Sequence, residues 1–384
     1  MTNVLTKEQQ RDLSDRGVSR RNFGRIAAII SAGASLPFLT EPGLAQLSQI
    51  RGEIPPDAVM INSNENPLGP CKEAADAVHS IVAQGGRYRF DLPGKLEKVL
   101  AEQEGIKPEY VKAFAGSSAP LMQSAIAFTA PGKAFVCGDP GYEAGQNSAR
   151  AMGAPVIGVP LTSAFAHDVR AMVAKAPNAG LFYICNPNNP SGTLTPKSDI
   201  EWLVENKPKG SVVMIDEAYT HIAGAPFCTD LVAKDKDVVV LRTFSKIYGM
   251  AGLRAGAAIA RPDLLRQLNK YNNYGGMLPI TGMVAATASL QASYVVPERR
   301  KIIGGVRDDL QAFLDKHNFK YVPSVSNCIM IDVGRPGGQI ATKMQAEKVY
   351  IGRVWSSWPT KVRVTIGTQE EMNKFKAAFL KVMA

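Results

Sequence analysis

Long hydrophobic runs and clustered cysteines are both missing from this sequence of 384 residues. No apolar stretch reaches the roughly 18 residues that a membrane-spanning helix needs, so we expect no conventional membrane span. The five cysteines are far apart, with no CxxC pair and no group of histidines nearby. This spacing argues against a zinc site and against a dense disulfide framework, and we expect no bound metal.

A clustered positive stripe, which would suggest nucleic-acid binding, is also missing. The formal net charge is +10, but the lysines and arginines are dispersed along the chain. They do not alternate with aromatic residues as they do on many nucleic-acid surfaces. We interpret the excess of positive charge as favouring anionic ligands. With 45% hydrophobic and 20% charged residues, the composition is that of a globular protein.

The N-terminal residues read as an export signal. Residues 19–25 are SRRNFGR, and a short, moderately apolar stretch follows them. They resemble the twin-arginine signal, whose pattern is met at every position through Arg25. We expect a signal peptide over 1–45, cleavage after Ala45, recognition by the twin-arginine export machinery, and a periplasmic or extracellular location. The alternative is an amphipathic helix in which Arg20 and Arg21 are neighbours by chance.

Apolar runs alternate with amphipathic segments through most of the remaining chain. This alternation predicts an α/β fold in which helices cover both faces of a mostly parallel sheet. Near residue 284 the pattern changes to a long polar helix over 298–317, two strands and a closing helix, which predicts a smaller α+β domain. We expect residues 46–83 to join that small domain, 84–283 to form a large domain, and 284–384 to form the small one. The predicted strands of the large domain are 134–138, 181–186, 211–216, 237–241 and 255–260.

Polar residues directly follow three of these predicted strands. The segments are NPNNPSG (186–192), DEAY (216–219) and RTFSK (242–246). Ligands of open parallel sheets bind at the carboxyl ends of the strands, so these segments are expected to meet at one site. Taken singly, the aspartate is typical of a helix cap and the Asn-Pro segment of a turn. Three polar strand ends in succession, one of them with a lysine, favour a chemical site.

These segments resemble those of the fold-type I aminotransferases that use pyridoxal phosphate (PLP), most closely the histidinol-phosphate aminotransferase branch. The resemblance covers nearly all of residues 60–384 and implies a large domain with a mostly parallel sheet plus a smaller α+β domain. It rests on NSNENPLGP (62–70), GRYRFD (86–91), AGSS (115–118), DPGYE (139–143), NPNNPSG, DEAY, TFSKIYGMAGLRAG (243–256) and VRVTIGT (362–368).

The resemblance implies that five residues surround the PLP ring. Lys246 would bond to the cofactor aldehyde and later shuttle a proton, and Asp216 would keep the ring nitrogen protonated. Asn189 and Tyr219 would hydrogen-bond the phenolic oxygen, and Tyr142 would stack on the ring. The catalytic residues would be Lys246, Asp216 and Tyr219.

A second implied group of residues would hold the cofactor phosphate. Free amides at the start of a helix and an arginine are suitable ligands for this anion. A tyrosine would reach the phosphate from a neighbouring subunit, which implies a homodimer with shared sites. The implied residues are Gly116, Ser117, Ser118, Thr243 or Ser245, Arg254, and Tyr88 of the neighbouring subunit.

The implied substrate site is less regular than the cofactor site. Arg363 would bind the substrate α-carboxylate, Asn186 and Asn327 would assist, and Arg353 would reach the distal end of the substrate. Leu68 stands where the histidinol-phosphate enzymes commonly have a tyrosine that helps bind substrate phosphate. Other departures are Ser118-Ala119-Pro120 in place of an acidic pair, and Arg89-Phe90 in place of Pro-Asp.

The sequence therefore predicts a PLP-dependent aminotransferase that moves an amino group between an amino acid or amine and a 2-oxo acid. The leucine and the apparent export signal predict that histidinol phosphate is not its physiological substrate. A PLP-dependent decarboxylase, lyase or oxidase is the alternative, because Lys246, Asp216 and Arg254 would serve all of these reactions. A non-catalytic PLP- or partner-binding module is the third possibility.

Overall fold

The computed structural model of the chain describes residues 4–32, 53–272 and 277–384. Within these ranges, the helices are α1 (Lys7–Asp15), α2 (Arg20–Ala32), α3 (Lys72–Ile81), α4 (Asp91–Glu104), α5 (Ser118–Phe128), α6 (Ala144–Ala151), α7 (Val169–Lys175), α8 (Lys197–Asn206), α9 (Thr220–Ala223), α10 (Thr229–Ala233), α11 (Pro262–Asn269), α12 (Ile280–Gln291), α13 (Val295–Lys316), α14 (Gly337–Ala346) and α15 (Gln369–Met383). The strands are β1 (Val59–Ile61), β2 (Val111–Phe114), β3 (Ala134–Asp139), β4 (Val156–Pro160), β5 (Ala179–Cys185), β6 (Val212–Asp216), β7 (Val238–Thr243), β8 (Gly256–Ala260), β9 (Lys320–Val322), β10 (Cys328–Asp332), β11 (Val349–Ile351) and β12 (Lys361–Thr365).

The large domain is built on a sheet in the order β2-β8-β7-β6-β5-β3-β4. The five adjacent strands β4, β3, β5, β6 and β7 run parallel to one another. Strand β8 is antiparallel to both β7 and β2. Every residue of β5, β6 and β7 is buried, as expected where helices cover both faces of a parallel sheet. The predicted α/β class with a mostly parallel sheet is confirmed.

The C-terminal part forms an antiparallel sheet in the order β12-β10-β9. In the chain, α13 precedes β9, α14 lies between β10 and β11, and α15 follows β12. The N-terminal segment reaches this region, because β1 pairs in parallel with β11. A capping box fixes the start of α15: the Glu371 amide donates to Thr368 Oγ1, and the Thr368 amide donates to Glu371 Oε2. Helix α12 runs across the predicted boundary at residue 284 and packs on α3 and α4, and the domain limits remain a prediction.

Helices α1 and α2 pack against the large domain. The apolar face of α2 contacts α5 and α6, and it buries Ile26, Ile29 and Ile30 at the spacing of one helix face. Arg16, between the two helices, donates from Nη2 to the carbonyl oxygens of Ile126 and Thr129, at 2.5 Å each. These carbonyls lie at the C-terminal end of α5, where a cation is favourable.

The side chains of Arg20, Arg21 and Arg25 are exposed on α2. The predicted cleavage point after Ala45 lies outside the described residues. Among the described residues, no helix combines the length and the apolar character needed to cross a membrane.

Candidate active site

A cavity of about 380 Å³ opens at the carboxyl ends of β5, β6 and β7. This is where a parallel sheet is expected to bind a ligand. Glu65 and Cys185 also line the cavity, although the sequence had not indicated them. The residues indicated by the sequence that line it are Ser117, Ser118, Tyr142, Asn189, Asp216, Tyr219, Thr243, Ser245, Lys246 and Arg254.

The amino group of Lys246 is held by a loop from the N-terminal segment. Its Nζ donates to the carbonyl oxygen of Asn64 at 2.8 Å, and it lies 5.6 Å from the centroid of the Tyr219 ring. Asn64 is buried and has a φ of 52°, a conformation that asparagine tolerates better than most residues. Asn66 Nδ2 donates to the main-chain oxygens of Lys246 and Ile247, at 3.0 Å each. The loop therefore positions both the lysine and its backbone.

Asp216 ends β6 with its carboxylate buried in the cavity wall. The Tyr183 hydroxyl donates to Oδ2 at 2.9 Å, and the Ala218 amide donates to Oδ1 at 3.2 Å. Burial raises the pKa of Asp216, and these two hydrogen bonds and the charge of Lys246 oppose that rise in pKa. A protonated ring nitrogen facing the carboxylate would add the cation that best compensates its burial. The site therefore fits the ring of PLP.

Arg254 and the start of α5 form a cup that fits a phosphate. The guanidinium donates from Nη1 to the Ala251 carbonyl at 2.9 Å and from Nη2 to the Ala115 carbonyl at 3.3 Å. Gly116 has a φ of 85°, and a Cβ there would lie 2.2 Å from Arg254 Nη2, so a side chain at this position would displace the arginine. Ser117 and Ser118 follow at the first turn of α5, whose amides and dipole favour an anion.

On the other side of the cup, Thr243 Oγ1 donates to Ser245 Oγ at 3.1 Å. Both hydroxyls line the cavity. Burial lowers the pKa of Arg254, but a guanidinium remains charged in proteins. The phosphate of PLP would therefore meet a cation, hydroxyls and helix amides together.

Arg363 lies on β12 and is completely buried. Its Nη1 donates to Asn189 Oδ1 at 2.9 Å, and its Nη2 donates to the Asn62 carbonyl at 2.7 Å. Because Asn189 lines the cavity, this guanidinium lies directly behind the cavity wall. Its position suits a role in binding a carboxylate next to the cofactor ring.

Arg353 has a partner that the sequence did not indicate. It follows β11 and donates from Nη1 and Nη2 to the two carboxylate oxygens of Glu143, at 2.6 and 2.5 Å. Its guanidinium carbon lies 4.1 Å from the centroid of the Trp355 ring. The structure pairs this arginine with a glutamate, and the expected contact of Arg353 with the distal end of the substrate stays a prediction.

The two other expected substrate residues, Asn186 and Asn327, lie behind the cavity wall. Asn186 exchanges hydrogen bonds with the main chain of Thr195. Asn327 donates from Nδ2 to the carbonyl oxygens of Asn64 and Glu65, at 3.2 Å each. Both side chains shape loops around the site, and their assistance in substrate binding stays a prediction.

Tyr88 does not join the cavity of its own subunit. Its side chain is 71% exposed and stacks on Phe90 with a centroid distance of 5.6 Å. Tyr88 is therefore not placed to bind the phosphate of its own subunit.

Sequence reasoning missed two residues that hold the site together, Asn64 and Tyr183. Asn64 belongs to the segment NSNENPLGP, which was noted as a motif but given no role. Tyr183 is a tyrosine inside an otherwise apolar strand, and a buried hydroxyl usually needs a hydrogen-bond partner. This requirement could have indicated a polar neighbour on the adjacent strand.

The arrangement can support proton transfer next to a bound cofactor. When bound, PLP supplies an electron sink for the bond cleaved at the substrate α-carbon. Lys246 Nζ is placed to carry a proton, Asp216 to hold a proton on the ring nitrogen, and Tyr219 to hydrogen-bond the ring substituent. Arg254 and the first turn of α5 would anchor the phosphate.

This fold and this set of side chains define a PLP-dependent transaminase. The chain belongs to the class I and II aminotransferase family, whose pattern matches residues 56–379. Helices α1 and α2 lie before the matched region. Family membership and the fit of the cavity together establish PLP as the cofactor and the fold as PLP-transferase fold type I.

Known relatives agree with this class. The chain is 32% identical over 335 residues to the histidinol-phosphate aminotransferase of Moorella thermoacetica, covering 85% of this chain and 86% of that enzyme. It is 32% identical over 327 residues to the enzyme of the same name from Symbiobacterium thermophilum, covering 84% and 90%. These names favour transamination over the decarboxylase, lyase and oxidase alternatives.

The fold is shared with a solved structure from Sinorhizobium meliloti, a histidinol-phosphate aminotransferase in complex with pyridoxal-5'-phosphate. The TM-score is 0.78 at 23% identity, and the alignment covers 85% of this chain and 90% of that one. At this identity the comparison shows the common fold alone.

Proposed function

We propose that this protein is an exported, homodimeric aminotransferase that moves an amino group between an amino acid and a 2-oxo acid. Arg363 carries the proposal for an amino acid substrate. It is a buried guanidinium behind the cavity wall, and Asn189 connects it to the cofactor site. A carboxylate bound there in a bidentate geometry would fix which bond of the α-carbon faces the cofactor ring.

We propose further that histidinol phosphate is not the physiological substrate, although the relatives carry that name. Leu68, 40% exposed, follows the loop that holds Lys246, and its side chain cannot donate a hydrogen bond to a phosphate. A lost hydrogen bond to a charged group costs about 1.5–3 kcal/mol, or roughly ten- to a hundredfold in affinity. The enzyme would then act on free amino acids.

Half-reaction spectroscopy of the purified, PLP-loaded protein tests the activity. Each amino acid of a panel, and histidinol phosphate, is added without an acceptor, and the change from the aldehyde form to the amine form of the cofactor is recorded. We expect conversion by one or more free amino acids and no turnover by Lys246→Ala, which should still bind PLP non-covalently. A higher specificity constant for histidinol phosphate than for every amino acid would refute the substrate proposal.

The export proposal is supported by the full match of residues 19–25 to the twin-arginine pattern and by the exposure of Arg20 and Arg21. Because that machinery moves folded proteins, PLP could bind before export. The packing of α2 is also what the amphipathic-helix alternative predicts, so the two need a direct test. Changing both arginines to lysine should trap the folded precursor in the cytoplasm, and unaltered export would favour the alternative.

The homodimer proposal is supported by two exposed aromatic side chains. Tyr88 and Phe90 are 71% and 65% exposed, which is unusual for large aromatic residues. Tyr88 does not line the cavity of its own chain, and a second subunit that covers these aromatic residues would bring Tyr88 towards the phosphate site of that subunit.

A further inference from the structure

The lysine turn, residues 246–249, is held by side chains from two separate parts of the protein. The carbonyl oxygen of Ile247 accepts hydrogen bonds from Asn66 Nδ2 and from Arg299 Nη1, at 3.0 Å each. Asn66 belongs to the loop that also contacts Lys246 Nζ, whereas Arg299 lies on α13. A carbonyl oxygen has two lone pairs, so the two donors together fix its direction.

The lysine turn is also tightly packed. The Gly249 amide donates to the Lys246 carbonyl at 3.1 Å. Gly249 has a φ of 65°, and a Cβ there would lie 2.1 Å from the Gly69 carbonyl oxygen and 3.0 Å from Arg299 Nη1. Only glycine fits such a close approach of the two backbones. The Arg299 guanidinium is therefore part of the surface on which the lysine turn packs.

Arg299 brings a buried cation to the lysine turn. The residue is 7% exposed, and burial lowers the pKa of its guanidinium, which nevertheless remains charged in proteins. Its Nη1 directs this charge to the Ile247 carbonyl, which makes the hydrogen bond a charge-assisted one. Because such a bond is roughly twice as strong as one between neutral groups, Arg299 restrains the turn more firmly than the Asn66 amide does alone.

We propose that Arg299 is a positioning residue for Lys246: by fixing the Ile247 carbonyl, it holds the main chain so that Nζ meets the cofactor aldehyde. The bond forms when the Nζ lone pair adds to the aldehyde carbon and one water molecule leaves, with no change of oxidation state. Nζ lies at the end of a long, flexible stem, so a small rotation of the lysine main chain displaces it further. Rates of such reactions depend steeply on how the reacting atoms are placed. The inference rests on Lys246 as the lysine that bonds to PLP in the proposed aminotransferase.

Addition of PLP to apoenzyme tests this inference in two stages. Fluorescence follows the first stage, association of PLP, and absorbance follows the second, formation of the bond to Nζ. The side chain of Arg299→Gln is polar but too short to keep the contact with the Ile247 carbonyl. We expect unchanged association and about tenfold slower bond formation, as for the loss of one charge-assisted hydrogen bond. Arg299→Met should behave in the same way, and Arg299→Lys, which keeps a charged donor, should recover most of the rate.

Two controls separate positioning of the lysine from general damage. The double variant Lys246→Ala/Arg299→Gln should bind PLP with the same dissociation constant as Lys246→Ala, because the arginine acts through the lysine alone. Arg300→Gln is the matched control, since the neighbouring Arg300 also donates to a main-chain carbonyl, that of His221, at 2.8 Å, but is exposed. Both stages should proceed in this control as in the wild type. Circular dichroism of every variant establishes whether it folds.

Several results would overturn the inference. Arg299 does not position Lys246 if its glutamine and methionine variants form the bond as fast as the wild type. A general structural role is shown if neither variant folds, or if the double variant binds PLP more weakly than Lys246→Ala. Absence of the second stage in the wild type would refute Lys246 as the bonding lysine. An intact second stage without conversion of any amino acid would refute the proposed transamination alone.

Discussion

Tyr183 is the residue on which the charge of Asp216 depends most directly. It lies completely buried in β5, next to β6, and its hydroxyl donates to the carboxylate. Burial raises the pKa of Tyr183 well above its usual value, so the phenol stays protonated and remains a donor near neutral pH. Asp216 would otherwise face an apolar strand, and burial would raise its pKa further.

Tyr183→Phe should weaken the interaction of the Asp216 carboxylate with the ring nitrogen of the cofactor. Removing one hydrogen bond to a buried carboxylate costs roughly 1.5–3 kcal/mol, so we expect at least a tenfold rise in the dissociation constant of PLP from apoenzyme, together with a lower kcat. Titration of apoenzyme with PLP, followed by fluorescence, measures the first effect independently of turnover.

Tyr110→Phe is a suitable control for this change. Tyr110 also donates to an aspartate, Asp235, at 2.7 Å, but this pair is on the surface. The control should bind PLP as the wild type does. Equal dissociation constants for the two variants would show that Tyr183 only fills space.

At the level of elements, the strands and the positions of their polar ends could be predicted, because an apolar run and the residue after it are local patterns. The contacts of the 62–66 loop could not be predicted in this way. Lys246 donates a hydrogen bond to the backbone carbonyl of Asn64, which lies 182 residues away. Every residue has such a carbonyl, so the sequence does not indicate which one is the acceptor. The pairing of Arg353 with Glu143 was missed for a related reason, because a charge pattern does not indicate which of several acids is in reach.

Helix α2 yields a prediction about the N-terminal segment. Ile29→Asp would place an unpaired carboxylate in the face that packs on the large domain, which is strongly unfavourable. We expect residues before 33 to become accessible to limited proteolysis, with little change in the half-reaction.

The matched control is Ala28→Asp, which adds the same charge on the exposed side of the same helix. It should leave the proteolysis pattern unchanged. Similar protection in both variants would mean that packing of α2 is not what protects this segment.

At the level of the whole molecule, the proposed shared site makes activity a property of two chains. Lys246→Ala lacks the reactive amine but keeps Tyr88, and Tyr88→Ala has the opposite defect. If Tyr88 acts across the interface, a dimer with one chain of each kind contains one site in which both residues are native.

We therefore expect activity to appear when the two weak variants are mixed under conditions that allow subunit exchange. Steady-state turnover before and after exchange measures it, and sedimentation establishes that dimers are present. A mixture that only averages the two separate variants would place both residues in the same chain.

Helix α5 has a further consequence, because its two ends serve different parts of the protein. Its 11 residues span roughly 16 Å at about 1.5 Å per residue. The first turn faces the proposed phosphate site, and Arg16 caps the carbonyls at the other end. An anion at one terminus and a cation at the other both stabilise the same macrodipole. Thermodynamic reciprocity then applies to α1 and α2, the leading helices. If bound PLP strengthens their packing on the large domain by some factor, their packing increases the affinity for PLP by the same factor. A chain that has not yet bound PLP would then release its leading helices more readily than a loaded one.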